Sequence, residues 1–153
     1  MDIFPKIDSV YERLENGLEV RHIRCRYFAA VGISVVVRTG NIHEGAMCGC
    51  GVSHFAEHMA FVGAGGRREE SVSDAAMFGA ELNAYTSHDR TVYFADCPTE
   101  SLGKTLSLLS EMLFEPNFTE GAFEKERDVI LREIDMCSDD AGEKVYDNLF
   151  RKM

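Results

Sequence analysis

The sequence lacks an apolar run long enough to span a membrane. Its longest apolar stretch, residues 28–37, covers about ten residues and contains Gly32 and Ser34, whereas a spanning helix needs roughly 20 residues. The N-terminus also lacks a basic region followed by an apolar run, so no signal peptide is visible. These two absences argue against a membrane protein and against secretion.

A basic surface is missing as well. The chain has 26 Asp+Glu against 16 Lys+Arg, which gives a formal net charge of -10. Because no Lys/Arg-rich stripe is available to neutralise phosphates, we expect no binding to nucleic acid or to an anionic membrane. The five cysteines show no disulfide-framework spacing. This pattern indicates a reducing compartment, and we expect the protein in the cytoplasm.

What the sequence does contain is enough apolar material for one core. Hydrophobic residues make up 45% of the 153 residues and aromatic residues 10%, which is typical of one compact domain. The predicted order is three strands, two helices, two strands and two helices. This order indicates an α+β fold and not a regular alternation of strands and helices.

Local patterns place these elements along the chain. The pair Asn16-Gly17 predicts a two-residue hairpin turn, and the nearly continuous apolar residues 30–38 predict a strand covered on both faces. Thr119 is the expected N-cap of the last long helix. The predicted strands span residues 10–14, 18–25, 30–38, 82–86 and 91–96, and the predicted helices span residues 52–61, 71–78, 102–113 and 119–136.

The C-terminal residues begin a further amphipathic helix. Its apolar positions start at Val145, and the chain stops after about two helical turns without a capping glycine. We interpret this ending as that of a fragment.

The strongest chemical signal is the segment His54-Phe55-Ala56-Glu57-His58 on the predicted helix 52–61. Residues four apart on a helix share one face, so both imidazoles can reach one metal ion. Zinc accepts nitrogen and oxygen ligands and, in catalytic sites, keeps one position for water. We therefore predict His54 and His58 as zinc ligands and Glu57 as the general base that takes the proton of the water.

Two histidines do not complete a catalytic zinc site, so a third ligand is required. Glu126 and Glu133 lie seven residues apart on nearly one face of the long helix, a face that also carries Val129 and Ile130. A charged group on such a stripe is costly unless it is paired or binds a metal. The residues themselves favour Glu126 or Glu133 as the third ligand and do not rank the two.

Three separated segments resemble one known family. GVSHFAEHMAF contains the inverted zinc motif H-x-x-E-H of the inverzincins, and ELNAYTSHDRTVYF and FEKERDVILREI follow it in family order. Together they resemble the family of pitrilysin, insulysin and mitochondrial processing peptidase, over nearly the whole chain and most closely its processing-peptidase-like branch. The resemblance implies a mixed, mainly antiparallel sheet flanked by helices, as in the N-terminal domain of that family.

The resemblance also implies roles for individual residues. His54, His58 and Glu133 fall at the positions of the family's zinc ligands, and Glu57 falls at the position of its base. Glu126 matches a second family glutamate that supports the site from outside the metal shell. The segment Asn83-Ala84-Tyr85 matches the edge strand to which family members add their peptide substrate as a further strand.

The function implied is that of a zinc-dependent endopeptidase with one Zn²⁺ per chain and a peptide as substrate. Family members have a larger first domain and then a second, related domain in the same chain or in a partner subunit. Residues 1–153 are therefore expected to be a single, partial catalytic domain, with the rest of the first domain and the second domain absent. The alternatives are a non-catalytic subunit or scaffold of the same family, and an inactive fragment that needs a partner chain.

Overall fold

The computed structural model describes residues 8–25, 27–47, 50–62, 68–116 and 118–139, together with the single residues 142, 145 and 149. Within these ranges the chain forms five β-strands and four α-helices. The helix expected from residue 145 onward lies outside the described ranges except for residues 145 and 149, so it stays a prediction.

An N-terminal hairpin consists of β1 (Asp8–Arg13) and β2 (Glu19–Arg24), which pair antiparallel. Its turn lies where it was predicted but is one residue longer. The Leu14 N–H donates to the Leu18 carbonyl at 2.8 Å, so residues 15–17 form the loop and Gly17 takes the positive φ of 86°. A left-handed last residue is typical of three-residue hairpin loops, and a prediction based on Asn16-Gly17 alone gives the wrong loop length.

A second sheet contains β3 (Ala30–Val37), β4 (Glu81–Thr86) and β5 (Thr91–Pro98). Its strand order is β3-β5-β4, and both pairings are antiparallel. The predicted hairpin of β4 and β5 is confirmed, and the Ser87 N–H closes it by donating to the Arg90 carbonyl at 2.8 Å. In this three-stranded sheet β4 is therefore an outer strand.

The expectation that β3 is covered on both faces is wrong. Val31, Ile33 and Val35 are half-buried, whereas the residues between them are exposed. The half-buried side chains pack against the buried residues of the core. This alternation is typical of an antiparallel sheet that is covered by helices on one face.

Four α-helices and three short 3₁₀ helices complete the described structure, and α1 coincides with its predicted range. Thr119 caps the last helix as expected, because its Oγ1 accepts the Ala122 N–H at 3.2 Å. None of the described helices has the length and apolar character needed to cross a membrane. The α-helices are α1 (Val52–Phe61), α2 (Arg68–Met77), α3 (Leu102–Phe114) and α4 (Glu120–Asp139).

The main core lies between the inner face of the second sheet and helices α1 and α3. Its buried members are Ala60, Phe61, Tyr93, Ala95, Leu109 and Met112. Since Ala60 and Phe61 are the last two residues of α1, this packing anchors the C-terminal end of that helix against β5. The α+β fold with a mainly antiparallel sheet and flanking helices is thus confirmed.

Gly40 fixes the segment before α1 against the β4–β5 turn. It is buried, and a Cβ atom there would lie 2.3 Å from the Ser87 carbonyl oxygen and 2.7 Å from the Arg90 nitrogen. Because both atoms belong to the backbone, they cannot move aside as a flexible side chain would. Only glycine allows this close approach.

We expect Gly40→Ala to lower the free energy of unfolding by about 1–3 kcal/mol, since the added methyl group overpacks a rigid contact. Gly103→Ala is the matched control, because a Cβ there meets nothing within 4 Å and alanine favours a helix. Urea unfolding of both variants checks the prediction. Equal stabilities for the two variants would contradict it.

Candidate metal centre

Helix α1 presents two histidines on one face, one turn apart. The His58 residue is 7% exposed, whereas His54, which lies closer to the start of the helix, is only half-buried. Their Nε2 atoms lie 3.2 Å apart, and the two rings meet edge to face with centroids 4.6 Å apart. Both Nε2 atoms therefore point at the same small region of space.

Helix α4 brings Glu133 to the same region. The Glu133 Oε2 lies 3.7 Å from His54 Nε2 and 3.5 Å from His58 Nε2. Packing between the helices sets this approach, since the rings of Phe55 on α1 and Phe123 on α4 lie 4.7 Å apart. The three residues form a group of donors of the kind that holds a metal ion.

The spacing of these donor atoms matches a zinc site. With metal–ligand distances of about 2.0–2.2 Å, neighbouring corners of a zinc tetrahedron lie roughly 3.3–3.6 Å apart. The three distances, 3.2, 3.5 and 3.7 Å, agree with this range to within about 0.1 Å. Two imidazoles and one carboxylate are also ligands typical of catalytic zinc, so the residues fit the metal in both chemistry and geometry.

Glu126 occupies a different place from Glu133, on the far side of the His58 ring. It is 3% exposed, and its Oε2 lies 3.2 Å from His58 Nδ1. When the Nδ1–H of His58 donates to this carboxylate, the lone pair of Nε2 is left for a metal ion. The geometry thus distinguishes the two glutamates that the sequence pattern left unranked.

Glu57 lies on α1 between the two histidines and is 7% exposed. Its Oε2 accepts a 2.6 Å hydrogen bond from the Thr86 hydroxyl, at the end of β4. A carboxylate this deeply buried needs such a donor, because burial without a partner disfavours the charged form.

The hydroxyl of Thr86 has one proton, and its surroundings direct that proton to Glu57. Its register partner Thr91 lies 3.3 Å away, but the Thr91 hydroxyl donates to the Thr39 carbonyl at 3.0 Å. Sequence reasoning missed Thr86. The alternation along β4 contained the signal, because Leu82, Ala84 and Thr86 share the inward face of that strand.

Tyr93 is an uncharged residue near Glu57. Burial and, to a smaller degree, the negative charge of Glu57 raise the pKa of Tyr93 to about 12. The phenol therefore keeps its proton throughout the physiological pH range. Its ring packs into the core beside Phe61.

The predicted substrate strand lies next to this group of residues. Asn83 and Tyr85 are on the exposed face of β4, whereas Ala84 is half-buried on its inner face. The backbone N–H of Ala84 donates to Asn83 Oδ1 at 2.8 Å, so this donor is not used in the pairing with β5. Because Thr86 contacts Glu57, the strand ends beside the candidate base.

Comparison with known proteins identifies the family. Residues 24–153 match the family described as insulinase, peptidase family M16. The chain belongs to this family. The match includes the three segments that carry the resemblance seen in the sequence, and it confirms that resemblance.

Relatives in the insulinase family include named proteases. The chain is 32% identical to an "Uncharacterized zinc protease" of Rickettsia felis, over 90% of this chain and 34% of that protein. It is 36% identical to the "Mitochondrial-processing peptidase subunit beta" of Neurospora crassa, over 89% of this chain and 29% of that protein. The chain thus spans about a third of the length of these relatives.

A solved structure supports the fold of this insulinase-family chain. The putative M16-like peptidase from Alicyclobacillus acidocaldarius superimposes with a TM-score of 0.82 and 24% sequence identity. The superposition covers 99% of this chain and 36% of the other. The chain is therefore related to peptidases in sequence and shares the fold of an M16-like protein.

Proposed function

We propose that this chain is part of the catalytic domain of a zinc-dependent endopeptidase. The observation that carries the proposal is the triangle formed by His54 Nε2, His58 Nε2 and Glu133 Oε2. These three atoms would hold one Zn²⁺ ion. Bound there, zinc acts as a Lewis acid that polarises a peptide carbonyl and makes a water molecule acidic enough to attack it near neutral pH.

Glu57 is the proposed proton carrier of the reaction. It accepts a proton from the attacking water and then delivers that proton to the departing amine nitrogen of the cleaved peptide. Its burial and its hydrogen bond from Thr86 support this role, because they hold the carboxylate in a fixed position away from bulk water. Glu126 positions the His58 ring through Nδ1 and touches no reacting atom.

The outer edge of β4 is the proposed binding place for the substrate backbone. Asn83, Ala84 and Tyr85 would pair with an extended peptide, which adds to the sheet as a further strand. The Ala84 N–H, which donates to Asn83 Oδ1, becomes a donor to the peptide once the Asn83 side chain moves. The exposed side chains of Asn83 and Tyr85 then lie beside alternate residues of the substrate.

We propose that a further domain or a partner subunit of the same family covers part of this chain. Helix α4 supports this, because Leu131, Ile134 and Met136 on its surface are each more than half exposed at 53, 52 and 74%. Leu131 and Ile134 are three residues apart and share one face of the helix, and exposed apolar side chains that lie together favour burial against another protein surface. The covering part would enclose the peptide over the metal centre.

The proposed function is tested with the intact protein in its metal-loaded form. We expect about one zinc per chain by elemental analysis, hydrolysis of an unstructured peptide, loss of activity with a chelator and recovery when zinc is restored. A protein without stoichiometric zinc would refute the proposal. Bound zinc without hydrolysis, alone or with candidate partner chains, would instead favour the non-catalytic subunit.

Thr86→Val provides a sharper test of how Glu57 is held. Valine has nearly the shape of threonine but lacks the hydroxyl that donates to Glu57 Oε2. Because a hydrogen bond to a charged group contributes about 1.5–3 kcal/mol, we expect kcat to fall by about tenfold or more while zinc content stays unchanged. Thr86→Ser, which keeps the hydroxyl, serves as the control and should retain most of the activity. A fully active valine variant would contradict the assignment.

A further inference from the structure

The first turn of α1 has no capping side chain from its own N-cap residue. That residue is Gly51, which adopts the left-handed conformation with φ 77°. Its carbonyl accepts the Phe55 N–H at 2.8 Å, which is the first hydrogen bond of the helix. The N–H groups of the residues before Phe55 cannot find partners inside the helix and need acceptors from elsewhere.

One acceptor comes from a residue outside the helix, in the segment that precedes it. Glu44 Oε1 accepts the backbone N–H of Ser53 at 2.8 Å, across a separation of nine residues. Ser53 is buried and Glu44 is half-buried, so this bond is partly shielded from competing water. A carboxylate at this place also interacts favourably with the positive end of the helix dipole.

The segment that carries Glu44 is itself anchored. The N–H groups of Asn41 and Ile42 donate to the Ser87 and His88 carbonyls at 3.3 and 3.0 Å, and the Glu44 N–H donates to the Asn41 carbonyl at 3.3 Å. Tight packing of Gly40 against the same β4–β5 turn adds to this anchoring. The segment that carries Glu44 is therefore held in place next to α1.

The residue next to the capped amide is His54. The two histidines depend on different supports, because His58 is buried and fixed by Glu126. The His54 side chain is 39% exposed and contacts the other two members of the metal centre. Its place is set mainly by the backbone of the first helical turn, and the first turn is where helices fray.

We propose that Glu44 is a positioning residue, which holds His54 in its metal-binding place by capping the first turn of α1. This inference rests on the proposed function as far as the metal is concerned. The cap itself is independent of the metal. In the absence of metal, loss of the cap lets the first turn fray, and metal binding must then order that turn again.

The test compares variants of the intact protein by metal titration and by amide hydrogen exchange. We expect Glu44→Ala to bind Co²⁺, as a spectroscopic substitute for zinc, about five- to tenfold more weakly than the wild-type protein. Glu44→Gln keeps an oxygen acceptor and should recover most of the affinity. In the metal-free protein, the Ser53 amide should be protected in the wild type and should exchange faster in the alanine variant.

Glu100→Ala is the matched control, because it removes an acidic residue from the turn before α3 and leaves α1 unchanged. It should bind Co²⁺ like the wild type. A Glu44→Ala variant with wild-type affinity for Co²⁺ would overturn the proposal. An unprotected Ser53 amide in the wild-type protein would also overturn it, and that measurement does not depend on the folding of any variant. A wild type that binds no Co²⁺ but protects Ser53 would refute the proposed function and the effect on the metal while leaving the cap in place.

Discussion

Replacing Glu57 by glutamine is expected to lower kcat of the intact, zinc-loaded protein by 10²–10⁴-fold, the range typical of a lost general base. Glutamine has the same shape as glutamate. Its amide oxygen can still accept the hydrogen bond that the Thr86 hydroxyl donates to the carboxylate at 2.6 Å. It cannot take a proton from water at neutral pH, since an amide is not a base. Steady-state kinetics with a peptide substrate, together with zinc analysis, checks this result.

A matched control separates the chemistry of Glu57 from the general loss of one negative charge. Glu124 lies on α4, is exposed and pairs with Arg127 at 3.1 Å on the surface. Glu124→Gln should leave kcat unchanged, because exposed ion pairs contribute little. If Glu57→Gln kept wild-type kcat with full zinc content, Glu57 would not be the base.

The second large effect concerns the two glutamates of α4. We expect Glu133→Gln to weaken zinc binding by about 10²-fold or more, because an amide oxygen replaces one of three proposed protein ligands. Glu126→Gln should weaken it by only about tenfold, since a residue behind a ligand typically changes affinity by about 10–100-fold. Competition titration with a chromophoric chelator measures both constants.

The comparison works because the two substitutions are chemically identical and lie on the same helix. Glu133 faces both Nε2 atoms at 3.5 and 3.7 Å, whereas Glu126 faces the Nδ1 of His58 at 3.2 Å. Because Glu126 is buried, we expect Glu126→Gln to lower protein stability more than Glu133→Gln does. A larger loss of zinc affinity for Glu126→Gln than for Glu133→Gln would reverse the roles assigned to them.

The sequence predicted the helix that carries the histidines and the hairpin beside it, because both have strong local signals. The apolar period from Val52 to Met59 is helical, and the glycine-rich stretch after Phe61 ends it. The polar residues 87–90 between two apolar runs predict the turn that joins β4 and β5. Local chemistry determines such elements, so one sequence is enough to place them.

Other features depend on contacts between distant residues, which periodicity does not contain. The helical face that holds Glu126 and Glu133 is visible in the sequence, but only the angle at which α4 meets α1 decides which carboxylate reaches which nitrogen. Thr86 and Glu44 contact α1 from 29 and nine residues away, so no local pattern marks them. The coverage of β3 likewise depends on which face the helices occupy.

The most direct test of the central claim is the position of zinc in the intact protein, found by anomalous X-ray diffraction at the zinc absorption edge. The account predicts a single strong peak about 2.0–2.2 Å from His54 Nε2, His58 Nε2 and a Glu133 carboxylate oxygen. A zinc-loaded crystal with no peak between these three side chains, or with its peak at other ligands, would contradict the account.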